Sequence, residues 1–148
     1  MTTQPTGFPA SADAWLVPDA CRVLAIGRAS ATAASRLRHA GCDVTLVEKD
    51  EAALAPLRRR LAGVSVVAGS ADALPLRPAS YDAVLITQGL HLLAPGLALA
   101  EFARVLVPGG RLALSYTTRD DSVPWVRRLA GVLQAYDPEL MTGRQVES

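Results

Sequence analysis

The sequence predicts an α/β fold, a doubly wound parallel sheet of about five strands with helices packed against it. Three observations lead there. Short apolar runs alternate with longer stretches of helix-forming residues, the order that βαβ units require. Gly41 and Gly63 close two of the helical stretches, and Pro108, Gly109 and Gly110 close a third. Half of the 148 residues are hydrophobic and 20% are charged, enough apolar surface to fill a core between layers.

Taken in order, residues 1–20 are rich in Pro, Ser and Thr with one apolar patch at 14–17, a flexible or short helical lead-in to a single domain over 1–148. Residues 22–26 (RVLAI) form a short apolar run before a glycine, as a strand buried on both faces does. Residues 31–40 are good helix formers ending at Gly41. The unit repeats: a strand at 43–47 (DVTLV), Asp50 as N-cap, and a helix over 51–62 closed by Gly63. A third strand follows at 64–68. Residues 69–80 hold two prolines and no period, so a loop is expected, and YDAVLIT at 81–87 is the fourth strand. Pro95 suits a first helical turn, with Leu99, Phe102 and Leu106 spaced by three and four; the Pro-Gly-Gly then turns the chain into a fifth strand at 111–116. Ser122 suits the cap of a last helix whose Trp125, Leu129, Leu133 and Tyr136 share one stripe. Right-handed crossovers make this a Rossmann-like sheet, with a ligand crevice at the carboxyl ends of its strands.

Charge narrows the function. Fifteen basic and 14 acidic residues leave a net charge of +1, without the footprint of a nucleic-acid or membrane-surface binder. Three consecutive arginines at 58–60 on a helix are most simply a solvated face. The uncharged stretch 83–100 has the length of a membrane span, but Thr87, Gln88, Gly89, His91, Pro95 and Gly96 interrupt it, so a strand, a loop and a helix start are expected. No Lys or Arg precedes Arg22, so a secretory leader is not expected and a cytoplasmic location is. Cys21 and Cys42 each precede an apolar run as small hydrophobes; neither a disulfide framework nor a metal site is expected.

The succession VLAIGRASA, TLVEKD, GSADALPL, YDAVLITQGLHLL and ALAEFARVLVPGGRLALSY resembles the class I S-adenosylmethionine-dependent methyltransferases of the small-molecule type. The resemblance runs from Phe8 to the C-terminus, and GSADALP with ARVLVPGGRL are its most specific parts. It implies an S-adenosylmethionine cofactor, a small-molecule substrate, and a G-x-G-x-G turn after the first strand. Gly27 is kept, whereas Ala29 and Ala31 stand in place of the second and third glycines, Arg28 lies between, and Ala25 replaces the motif's acid. Left-handed alanine costs roughly 1–2 kcal/mol and a lost charge-assisted hydrogen bond roughly 1.5–3 kcal/mol. The expectation is therefore cofactor binding weakened by a factor of about 10² to 10³.

Glu48 lies 21 residues after Gly27, where an acid can accept from both ribose hydroxyls; a nicotinamide enzyme has the same need, and a solvated acid beside Lys49 and Asp50 is the competing explanation. Ser70 and Ala71 fall where the family contacts adenine, with Asp72 as the acid that replaces the usual aspartate. Gln88 faces the methionine end or the substrate mouth. His91 is the candidate general base, against the plainer role of packing at a loop corner; His39 belongs to a helix end. The expected cofactor residues are thus Gly27, Arg28, Ala29, Glu48, Lys49, Ser70, Ala71, Asp72 and Gln88.

By the same resemblance the family continues into an antiparallel strand pair, which this chain is expected to lack. Its fifth strand, at 112–116, is then an exposed edge to be covered by a second copy, the C-terminal tail or a separate partner; a homodimer through residues 111–136 is expected. Three functions compete: a methyltransferase, a non-catalytic methyltransferase-like binding or regulatory subunit, and a nicotinamide oxidoreductase. The last fits poorly because no G-x-G-x-x-G survives.

Overall fold

A computed structural model describes residues 21–87 and 95–115, together with positions 124, 127, 128 and 132. The lead-in at 1–20, Gln88, His91, and the stripe of Trp125, Leu129, Leu133 and Tyr136 lie outside the described residues. Contacts divide the chain into two compact units, residues 1–117 and 118–148. In the second, the four described positions are helical and exposed.

In the first unit, β1 (Arg22–Ile26) leads through a 3-10 turn (Arg28–Ser30) into α1 (Ala31–His39). There follow β2 (Asp43–Glu48), α2 (Glu51–Arg60), β3 (Ser65–Ala68), β4 (Tyr81–Thr87), α3 (Pro95–Val105) and β5 (Leu106–Ser115). Asp50 caps α2, its carboxylate accepting from the Ala52 amide at 3.0 Å. Arg58, Arg59 and Arg60 are exposed in the last turn of α2, where they also suit the negative end of the helix dipole.

All pairings are parallel and the order is β3-β2-β1-β4-β5. Alternate side chains sort to the two faces. Val23, Ala25, Val44, Leu46, Ala83 and Leu85 pack with Leu37, Leu54 and Leu57 of α1 and α2. Leu24, Ile26, Val47, Val84 and Ile86 pack with Ala98, Phe102 and Val105 of α3 and with Ala71 and Leu74. Each such fully buried Leu or Phe stabilises the fold by about 1.5–3 kcal/mol. The chain winds outward from β1 to β3 on one face, then returns to β4 beside β1. The order therefore reverses between β1 and β4, the point where open α/β sheets hold ligands.

Most boundaries fall within two residues of expectation, and one differs by more. The fifth strand begins at Leu106, directly after α3, instead of at Arg111. Tyr81 pairs with Leu106 and Ala83 with Arg111, so 107–110 bulge out between two register points and absorb Pro108, whose missing N–H a regular ladder would not tolerate. Gly110 is required there: a Cβ would lie 2.9 Å from the Val107 carbonyl oxygen. Among the described residues no helix is long and apolar enough to cross a membrane.

Candidate functional site

Four strand ends line up across the sheet in the order β3, β2, β1, β4, and they carry Gly69–Ser70, Glu48, Gly27 and Thr87. At about 4.8 Å between strands the row spans about 14 Å.

Gly27 turns the chain from β1 toward α1 with φ 79° and ψ 156°, a conformation essentially reserved for glycine. Its amide donates to the Val47 carbonyl at 2.8 Å, and a Cβ built there would meet nothing within 4 Å among the described residues. Conformation excludes a side chain, and the space before the backbone stays open. The neighbouring alanines correct the expectation of strain: Ala29 lies in the 3-10 turn, Ala31 has φ −61° and ψ −41° in the first turn of α1, and Ala79 is the sole non-glycine with positive φ among the described residues. Helical backbone at Ala29 and Ala31 needs no glycine. Ala25, in place of the motif's acid, is fully buried in the α1 and α2 face of the core.

Glu48 is 6% exposed, which overturns the solvated-acid explanation. Its Oε2 accepts from the Arg28 amide at 2.7 Å and its Oε1 from the Asp50 amide at 2.9 Å. One carboxylate thus ties the glycine turn to the start of α2, and each oxygen keeps a second lone pair for a hydroxyl donor. The Arg28 guanidinium pairs with Asp50 at 3.2 Å in an exposed bridge of little energetic weight. Lys49 is exposed.

The β3 end continues from Gly69, whose amide donates to the Glu48 carbonyl at 3.1 Å. The Ser70 hydroxyl donates to Asp72, Ala71 is buried, and Asp72 faces solvent. Expectation grouped these residues by sequence; the hydrogen bond shows that Ser70 and Asp72 act as a unit. The loop is clamped from α3. Glu101 accepts from the Leu74 amide at 2.8 Å, and Arg104 donates to the Leu76 carbonyl at 2.8 Å, the Leu74 carbonyl at 3.0 Å and Glu101 at 2.9 Å. The Arg104 guanidinium, helped by the Leu74 amide, holds the Glu101 carboxyl below its usual range, and Glu101 raises Arg104 in turn.

At the β4 end, the Thr87 amide donates to Ser30 Oγ at 3.0 Å, while its own Oγ1 is buried with no partner among the described residues. Sequence reasoning placed Thr87 at the β4 end of the crevice but missed Ser30, Glu101 and Arg104. The signal for Ser30 was a small hydroxyl residue at the reversal point; for the other two, an acid and a base one helical turn apart. Among the described residues no three His, Cys, Asp or Glu side chains gather to hold a metal.

These residues suit the cofactor that the resemblance implied. Open space lies over Gly27, and a buried carboxylate with spare acceptor capacity sits beside it.

Comparison with known proteins agrees. A family described as a methyltransferase domain matches residues 24–114. The chain is 40% identical over 127 residues to an uncharacterized methyltransferase of Mycobacterium tuberculosis, covering 85% of this chain and 52% of that protein. It is 33% identical over 116 residues to the demethylmenaquinone methyltransferase of Beutenbergia cavernae, covering 78% and 48%. In structure it is similar to the 1,6-didemethyltoxoflavin-N1-methyltransferase of Burkholderia thailandensis, solved with 1,6-didemethyltoxoflavin and S-adenosylhomocysteine bound: TM-score 0.59, 28% identity, 71% of this chain and 50% of that one. The chain spans about half the length of the curated relatives it matches. With the glycine turn, the buried Glu48 and the parallel sheet order in place, the chain belongs to the class I S-adenosylmethionine-dependent methyltransferase family.

Proposed function

We propose that this chain binds S-adenosylmethionine along the carboxyl ends of β3, β2, β1 and β4 and serves a methyltransferase acting on a small molecule. The observation that carries the reading is Glu48, buried, fixed by two backbone amides and left with one free lone pair on each oxygen. Those lone pairs accept the two ribose hydroxyls. Gly27 lets the backbone approach the ligand, and the Ser70–Asp72 loop borders the adenine. When bound, the cofactor supplies an electrophilic methyl group on a sulfonium. Gln88 and His91, next along the chain after β4, are the candidates for the substrate mouth, with His91 as general base. A small-molecule substrate is favoured by the relatives' own substrates, demethylmenaquinone and 1,6-didemethyltoxoflavin.

The case for weakened binding now rests on Ala25 alone, one charge-assisted hydrogen bond or about 1.5–3 kcal/mol. Calorimetric titration with S-adenosylmethionine tests the reading. The unaltered chain should bind, and Glu48→Ala should bind about 10- to 150-fold more weakly. Absence of binding overturns the reading; equal affinity in the two proteins overturns the role of Glu48.

A further inference from the structure

Cys21 and Cys42 lie at the opposite end of the sheet from the site just described. The β1–β2 register pairs Arg22 with Asp43, so the residues preceding them, Cys21 and Cys42, are the next pair across the two strands. The Asp43 amide donates to the Cys21 carbonyl at 3.0 Å, which holds the backbones in that register up to the cysteines themselves. Both side chains turn to the same face: Cys42 belongs to the core beneath α1 and α2, and Cys21 packs against it. Directly opposed residues on adjacent strands stand about 4.8 Å apart at Cα, inside the range of about 4.4–6.8 Å that a disulfide bridges.

We propose that Cys21 and Cys42 are an oxidisable cross-strand dithiol, which closes to an intrachain disulfide by exchange with a low-molecular-weight disulfide. The two sulfurs have unequal roles. Cys21 is half-buried and the more exposed of the two; Cys42 is 2% exposed. Cys21 loses its proton to solvent and its thiolate attacks the external disulfide, forming a mixed disulfide and releasing one thiolate. Cys42 then loses its proton and attacks the Cys21 sulfur, releasing the second. The protein's two thiols are oxidised and the external disulfide is reduced to two thiols.

The resting form is the dithiol. Burial first, then the neighbouring Cys42 and Asp82, push the Cys21 thiol up to about 12 against the opposing pull of Arg22, so the attacking thiolate is scarce near neutrality. The closed form would staple the starts of the two strands whose far ends deliver Gly27 and Glu48, enclosing residues 22–41 in one loop. It removes freedom chiefly from the unfolded chain and leaves the strand ends that form the site in place.

The test is incubation of the purified chain with glutathione disulfide at about pH 9, where the thiolate becomes more available, followed by intact mass and a non-reducing digest. The expected product has lost about 2 Da, carries no glutathione, and joins the peptide ending at Arg22 to the peptide 39–49. Its unfolding midpoint is raised, and reduction reverses both changes. Cys42→Ser, which removes the resolving thiol, should instead retain one glutathione on Cys21. The proposal is overturned if the unaltered chain keeps a stable glutathione adduct, links Cys21 to a second chain, or yields both thiols to alkylation after unfolding.

Discussion

One oxygen of Ser30 holds the end of β4 against the end of β1: Oγ accepts from the Thr87 amide at 3.0 Å while donating to the Ile26 carbonyl at 2.9 Å. Ser30 is fully buried and makes no cap bond to its own helix. The two strands between which the sheet order reverses are therefore joined by a side chain, beyond the last regular ladder bond.

Ser30 and Thr87 should respond differently to substitution. Ser30→Ala strands a buried amide and is expected to cost about 1–3 kcal/mol in urea unfolding. Thr87→Val removes a hydroxyl that has no partner among the described residues and should leave stability unchanged or raised by up to about 1 kcal/mol. A loss of stability in Thr87→Val would show that its Oγ1 is bonded in the folded protein.

What the sequence made legible follows from local physics. Strands β1 and β4 were placed at their observed ends because apolar runs bounded by glycine or charge have few other ways to fold. The place of Glu48 at the end of β2 was legible because it depends only on strand length and a turn. The start of β5 was missed because Pro108 and two glycines look like a stop signal, and only pairing with Tyr81 turns them into a bulge. The backbone state of Ala29 and Ala31 was misjudged for a similar reason. A family pattern says which residues usually occupy a turn; φ is set by how that turn joins its helix, and here the helix begins early. Ser30, Glu101 and Arg104 work through contacts 27 to 57 residues apart, which no local pattern reports.

The alanines carry a second prediction. Because Ala31 begins α1 and Ala29 lies in the 3-10 turn, Ala29→Gly and Ala31→Gly relieve no strain and should not tighten S-adenosylmethionine binding. The expected change is a loss of stability, up to about 1 kcal/mol for a glycine within a helix. Tighter binding by calorimetry in the double variant would restore the strain argument.

Acid sensitivity should come from two carboxylates at known places. Asp82 is held below its ordinary 3.8, chiefly by the Arg22 amide at 2.9 Å and then by the Arg22 guanidinium. Glu101 is held below 4.5 by Arg104 and the Leu74 amide. A lowered folded value means that each contributes its stability above the unfolded value and loses it as pH falls through the folded one. Stability should therefore decline from about pH 4.5 downward. In Asp82→Asn with Glu101→Gln, the gap between urea midpoints at about pH 7 and about pH 3 should shrink; an unchanged gap would place the acid sensitivity elsewhere.

The last prediction concerns the edges of the sheet. At one end of the strand order stands β3, four residues long; at the other stands β5, ten residues long, with β4 as its neighbour among the described residues. A short edge offers little to a partner, whereas a long one is a template for pairing. Leu114 on β5 is 42% exposed, and Leu97 and Leu99 on α3, the helix that precedes β5, are 59% and 46% exposed. We propose that a second copy of the chain covers this edge, since a two-fold contact lets one patch serve both protomers. Light scattering at about 10 μM, where a specific interface of ordinary size is populated, should report twice 15.6 kDa. Leu114→Lys, which places a charge at a half-exposed position of β5, should return the mass to that of one chain while leaving the buried neighbour Ala113 undisturbed. A monomeric mass for the unaltered chain at that concentration would overturn the dimer.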